Sequence, residues 1–335
     1  MDIVLVGTCY LDTILTVPHY PDEDAKLRAS TIKRRRGGNC LNSLDVMQQL
    51  VAHRERSENG QSSSSRRKAE HRLHLITVLP NRNSGDTQQV IESFGKYSPI
   101  NFGHSIYREN ATEAASCYII QSKATGSRTL VNYKPLEEMT VGEFVKITGQ
   151  FSVQGESWWH FEGIIPEITL ECIQILRRVL PKAKISVEVE KPGRQGLREL
   201  AAEADVIFYS KAWAEASGYD SAETCLKREP RGRASLTICP WGAGGAYAMS
   251  HLSGDQIHCP VEQHPDEITV VDSVGAGDTF IAGMLYGLTY CDGYSDGQGE
   301  SSWDTRRCVR FAVDLATLKV QRDGFTGLAD NFVQP

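Results

Sequence analysis

The chain has no GxxxxGK[ST] loop, so a P-loop nucleotide site is excluded. The signature set of protein kinases is missing too. No window approaches the roughly 18 uninterrupted apolar residues of a spanning helix, so no membrane partner is expected. The start, MDIVLVG, lacks the basic segment and long apolar stretch of a secretory leader. Nine cysteines are scattered without CxxC spacing. With no leader, they read as reduced thiols in a reducing, cytoplasmic compartment. An excess of basic residues is also lacking: 36 Lys and Arg face 42 Asp and Glu, for a net charge of −6. That balance argues against nucleic acid as a partner.

What is present is ample core material: 335 residues, 40% of them apolar. β-like runs recur at 3–7, 74–79, 116–120, 184–190, 205–210 and 235–240. Helical patterns at 40–52, 169–180 and 194–204 lie between several of them, and the last third is mainly helical, at 279–288 and 305–321. Strands alternating with helices predict an α/β fold with a mainly parallel sheet and helices on both faces. The Ser-rich, charged stretch 53–72 reads as an exposed insertion. A second Gly/Ser-rich loop spans 291–304. Residues 13–36 and 117–133 are β-like but leave the alternation, so they fit a small separate sheet or edge strands of the main one.

The stretch DSVGAGDTF (272–280) places Gly275, Ala276 and Gly277 directly before Asp278 and an apolar helical run. A helix start exposes unpaired N–H groups and a partial positive charge, and small residues let an anion approach them. A carboxylate in the first turn can take a proton from an attacking hydroxyl. Together these parts suit phosphoryl transfer. The same four residues also fit an ordinary capped helix start. A second glycine-rich spot, RRRGGNCLNS (34–43), sets Gly38 and Asn39 before a helical pattern, with Asn42 one turn on. Amide groups there can bind a polyol; a simple N-cap is the alternative. Asp12 follows the first strand, where open α/β sheets bind ligands.

Together these motifs resemble the ribokinase-like (PfkB) carbohydrate kinases, over nearly the whole chain. DSVGAGDTF resembles that family's C-terminal signature and RGGN with a following Asn its N-terminal one. Within the family, YPDEDAKLRAS (20–30), WWHFEG (158–163), SVEVEKP (186–192) and DVIFYSK (205–211) are similar to segments of the ketohexokinase branch. The resemblance implies a ribokinase-like three-layer α/β core of residues 1–12, 37–116 and 134–335. A β-clasp lid of residues 13–36 and 117–133 would pair two subunits into a homodimer. It implies ATP and Mg²⁺, with K⁺ as a further ion, and fructose as the sugar phosphorylated, at O1. Asp278 would be the catalytic base, and Gly275, Ala276 and Gly277 the anion hole. Asp12, Gly38, Asn39 and Asn42 would hold the sugar, with Asp24 reaching across from the clasp. Arg128, Lys211 and the loop Gly242, Ala243, Gly244 and Gly245 would serve the nucleotide.

Three departures stand out. The family's Asn-x-x-Glu motif is replaced by Ser210-Lys211-Ala212-Trp213. No residue is therefore assigned as a direct metal ligand, and Glu188 and Glu190 are outer-shell candidates. Ile164 stands where a basic residue is expected, and the 242–245 loop lacks acids. Other acceptors (ribose, another ketose, a nucleoside) and a non-catalytic sugar or nucleotide sensor are the alternatives.

Overall fold

A computed structural model describes residues 1–59, 71–262, 268–291 and 304–331. Short runs rich in Val, Ile and Leu form an eight-stranded sheet buried on both faces except at its last two strands, where one face is partly open. Its order is β14 (Gln256–Cys259), β13 (Ala246–Ser250), β12 (Leu236–Pro240), β11 (Val206–Tyr209), β10 (Ala183–Val189), β9 (Ser157–Phe161), β1 (Asp2–Val6) and β4 (Arg72–Ile76). The six strands from β12 to β4 pair in parallel, and β13 and β14 are antiparallel.

Period-two alternation divides the central strands between two cores. Ile3 and Leu5 join the cluster of α1 (Asn39–Asn59), α8 (Ala276–Tyr286) and α9 (Thr305–Val320). Val4 and Val6 join that of α3 (Val141–Thr148), α4 (Pro166–Val179), α5 (Leu197–Ala202), α6 (Lys211–Ala216) and α7 (Ala222–Arg228). Two helical layers thus sandwich the sheet. A short helix, α2 (Gly85–Glu92), and a β5 (Val78–Pro80) and β6 (Ile106–Arg108) pair lie outside it. Helix starts are marked locally: Ser210, Ser221 and Asp304 side chains cap α6, α7 and α9. The described free cysteines are all buried. Among the described residues, no helix is long and apolar enough to cross a membrane.

The strands β3 (Thr31–Gly37), β2 (Tyr10–Val17), β7 (Ser116–Ser122) and β8 (Arg128–Tyr133) form a sheet of their own, not edges of the main one. It starts at Tyr10, inside the stretch 1–12 that the sequence assigned to the core. The basic run of β3 ties it down. Lys33 pairs with Asp323, Arg35 with Asp12 and Asp272, and Arg36 with Asp45.

One expectation needs correcting. Residues 53–59 are not a loop: α1 runs on to Asn59. Polar residues such as His53, Arg54 and Glu55 carry no breaker, and a helix can continue on its solvent side. Residues 60–70 of the expected insertion, and 292–303 of the second loop, lie outside the described residues.

The chain sets β4 on one side of β1 and then returns to lay β9 on the other. That reversal makes a crevice at the C-terminal ends of β1 and β9, where open α/β sheets bind ligands.

Candidate active site

The segment ISVEVE (185–190) alternates apolar and polar residues. As a strand it sends Ile185, Val187 and Val189 into the α4 side. Ser186 and Glu188 turn to the opposite face, that of α1. β9 repeats the pattern, with Trp159 and Phe161 on the α4 side. His160 pairs with Ser186 Oγ at 2.9 Å and with Glu188 Oε1 at 3.0 Å. Glu162, just past β9, accepts from the Thr8 amide at 2.9 Å. A ladder of polar side chains therefore climbs one face of the sheet to its C-terminal edge.

The N-termini of α1 and α8 meet that edge. Asn39 Nδ2 donates to Glu188 Oε2 at 3.0 Å and to Glu190 Oε2 at 3.3 Å. One turn on, Asn42 Nδ2 donates to Asp278 Oδ2 at 2.7 Å, and Ser43 Oγ donates to the Asp278 carbonyl at 2.9 Å. Asn42 Oδ1 is buried and has no partner among the described residues. Gly275 caps α8 with a left-handed φ of 81°, and Phe325 packs against it so closely that a Cβ there would lie 2.3 Å from Cζ. Only glycine meets both demands. The first amides of α8 have no full helical turn before them, and the Ala276 amide donates to the Ser273 carbonyl at 3.4 Å.

The electrostatics are those of acids forced together out of water. Burial, then the charge of Glu188, pushes the Asp278 carboxyl up to about 8. Burial, then Glu190, pushes Glu188 up to about 8 as well. Glu162 also rises, through burial and Glu188, while burial drives His160 down to about 3, so it is neutral. Each acid holds a proton that the unfolded chain, titrating near pH 4, gives up. The contribution of Asp278 and Glu188 to stability is complete below about pH 4 and is lost as pH rises through about 8. The ligand-free protein should therefore melt at a lower temperature at pH 9 than at pH 6. Asp278→Asn should narrow that gap. Scanning fluorimetry across pH checks this, and an equal or higher melting temperature at pH 9 would contradict it.

The expected site residues fall into two groups. Asp12, Gly38, Asn39, Asn42 and Gly275 to Asp278 are joined by contacts. Asp12 enters through Arg35, whose guanidinium lies 3.7 Å from Asp12 and 3.5 Å from Asp272, at the head of the glycine turn. Burial, only partly offset by Arg35, raises the Asp12 carboxyl. Lys211, at the start of α6, lies 5.4 Å over the Trp241 ring, beside the tight turn Gly242–Gly244 and Gly245. These share the sheet's C-terminal edge but make no described contact with Asp278. Ser210, in the departed motif, caps α6 and donates to the Glu190 carbonyl at 2.7 Å. Asp24 and Arg128 are exposed on the second sheet and its loop, and neither has a described side-chain partner.

Sequence reasoning passed over Glu162, His160, Asp272 and Arg35. The alternation that marks Glu188 also marks His160 and Glu162 in WWHFEG. Nothing local marks Arg35 or Asp272, because their meeting depends on how two sheets pack. A cavity of about 60 Å³ opens at the ends of β1 and β9, lined among others by Thr8, Glu162, Ile164 and Ile168. Ile164, the departure from the expected basic residue, thus forms part of an apolar wall. Asp278 does not line this cavity.

A divalent cation prefers carboxylate oxygens and water. Glu188 and Glu190 converge on a single Asn39 amide, and neither has a Lys or Arg partner among the described residues. With Glu188 ionised, that donor set fits Mg²⁺.

Comparison with known proteins gives the family and the fold. A family profile described as "pfkB family carbohydrate kinase" matches residues 1–330. Ketohexokinase of Mus musculus is 26% identical, over 97% of this chain and 98% of its own. The structure of Arabidopsis thaliana ribokinase complexed with ribose and ATP superposes with a TM-score of 0.69 at 15% identity, covering 96% of this chain and 93% of that one. The Methanocaldococcus jannaschii nucleoside kinase does so at 0.66 and 17% identity, covering 97% and 93%. These two likenesses establish a ribokinase-like α/β fold.

Proposed function

Because this chain belongs to the pfkB family of carbohydrate kinases, and is thus an ATP-dependent carbohydrate kinase, we propose that its acceptor is fructose and its product fructose 1-phosphate. The observation that carries the reading is Asp278, buried, gripped by Asn42 and set beside the 275–277 turn. Its likeness to the mouse ketohexokinase supports the choice of sugar.

In this mechanism Asp12, Asn39 and Asn42 bind the sugar at the helix starts, with the Gly38 turn admitting it closely. Asn42 Oδ1, buried and without a partner among the described residues, is ready to accept from a sugar hydroxyl. Asp278 takes the proton of the C1 hydroxyl as its oxygen bonds to the γ-phosphorus. The bond from the γ-phosphorus to the bridging oxygen breaks, and ADP leaves. Amides of 275–277 face the equatorial oxygens, where negative charge builds up. Glu188 and Glu190 would hold Mg²⁺ through water, and the ion would supply charge neutralisation on the phosphates. Lys211, Arg128 and the 242–245 turn serve the nucleotide.

The second sheet acts as the lid, and its closure excludes water that would otherwise accept the phosphoryl group. Asp24 reaches the partner subunit's sugar from that sheet's loop. Support for pairing comes from its apolar exposed side chains: Ile32, Tyr118, Leu130, Val131 and Tyr133. Light scattering should give a dimer mass; a monomer at micromolar concentration would remove this part of the reading.

The deciding assay is Mg²⁺-dependent ADP formation with fructose, other ketoses, ribose and adenosine. Fructose should give the highest kcat/KM. A higher value with ribose or adenosine would overturn the acceptor. Sugar binding without turnover would replace the kinase reading of this site with that of a sensor.

A further inference from the structure

Lys319 is fully buried in the last turn of α9. A lysine is almost never so placed unless its charge is met, because desolvating an ammonium costs several kcal/mol. Its position was written in the helix period: Cys308, Ala312, Leu315 and Lys319 lie on one stripe, and the other three are buried apolar residues. The ammonium is met by oxygen atoms. Lys319 Nζ donates to the Asp272 carbonyl at 2.9 Å, to Asp272 Oδ2 at 3.1 Å and to the Arg322 carbonyl at 3.5 Å. The Phe325 ring lies 5.3 Å beneath it.

Those ligands are the frame of the glycine turn. Asp272 Oδ1 accepts from the Val274 amide at 3.0 Å, and the Asp272 amide donates to the Val320 carbonyl at 3.2 Å. Phe325, under the ammonium, is the ring that packs on Gly275. Asp272 is also where Arg35 of the second sheet arrives. The ammonium therefore sits behind the turn that carries the anion cradle and Asp278, and holds its first residue by both carbonyl and carboxylate.

Two carbonyl oxygens and a carboxylate around one positive charge also describe what a potassium ion requires, since carbonyl oxygens replace its hydration shell. Here the cradle is already filled by a tethered cation, so the potassium ion suggested by the family resemblance does not fit this place.

We propose that Lys319 is a built-in monovalent cation, a positioning residue that fixes the 272–275 turn and makes this chain's activity independent of added potassium. The proposal rests on the kinase reading of the site but not on the identity of the acceptor.

The test compares wild type, Lys319→Ala and Lys319→Met in potassium, sodium and choline chloride at equal ionic strength, with whichever acceptor the panel selects. Wild-type turnover and melting temperature should be the same in all three salts. Lys319→Ala, which opens a space of the right polarity, should lose roughly 10- to 100-fold in kcat, the size expected when a charge-assisted contact goes. Potassium should restore much of that loss and raise the variant's melting temperature, while choline should not. Lys319→Met, which fills the space with an apolar chain, should lose activity without rescue. Wild-type activation by potassium, full activity in Lys319→Ala, or a loss in that variant that no salt reverses would each overturn the proposal. If neither variant folds, the wild-type salt comparison decides it. Absence of turnover by wild type in every salt would instead count against the kinase reading, and the melting-temperature arm would still report on Lys319.

Discussion

Asp278→Asn should lower kcat by roughly 10²–10⁴-fold, the usual contribution of a general base, while leaving the protein folded. Asparagine keeps the shape and can still meet Asn42 with its carbonyl oxygen, so the α1–α8 junction survives. What it lacks is a site for the hydroxyl proton. Removing a buried carboxyl also relieves the crowding of acids around Glu188, so the variant should be at least as stable as wild type above pH 8. The pH profile gives an independent readout. The wild-type carboxyl is raised to about 8 by burial and by Glu188, so kcat/KM should climb with pH and level off above that value, since kcat/KM reports the free enzyme's groups. The residual activity of the variant should lack that limb. Retention of more than a tenth of wild-type kcat, with the limb intact, would remove Asp278 from the base role.

Gly38→Ala should have the second-largest effect, and on both stability and activity. Gly38 has a φ of 111°, and an added Cβ would lie 2.2 Å from the Thr8 carbonyl oxygen. The conformation alone costs about 1–3 kcal/mol for a residue with a side chain. The clash is with backbone, so no side chain can turn aside to relieve it. Either the 37–39 turn or the end of β1 must shift, and both carry the site: Asn39 and Asn42 follow the turn, and Thr8 N anchors Glu162. The expected result is a loss of about 3 kcal/mol or more of stability, together with a raised KM for the sugar. Denaturant unfolding and sugar titration check it. Wild-type stability and KM in this variant would mean that the turn constrains neither the fold nor the site.

Some of this site could be read without coordinates. The glycine turns at 37–38 and 275–277 announce themselves because unusual backbone angles demand particular residues at particular places. The SVEVE alternation announces a strand with a polar face because side chains on a strand alternate with period two, whatever the strand packs against. The apolar stripe of α9 includes Lys319 for the same kind of reason. These are properties of neighbours in sequence, and sequence by itself determined them, along with the family to which the motifs belong.

What it did not determine is which groups meet. Asn42 reaches Asp278 across 236 positions, and Glu162 meets Thr8 across 154. Those encounters follow from the order β10–β9–β1 and from two helices starting at the same edge. Arg35 bridges Asp12 and Asp272 only because the second sheet packs down on the glycine turn. The charge states are decided at the same level. A carboxyl in the first turn of a helix is ordinarily ionised, and it is the covering of Asp278 by α1, with Glu188 alongside, that raises it. Desolvation depends on everything that excludes water from a group, and most of what surrounds Asp278 comes from distant parts of the chain.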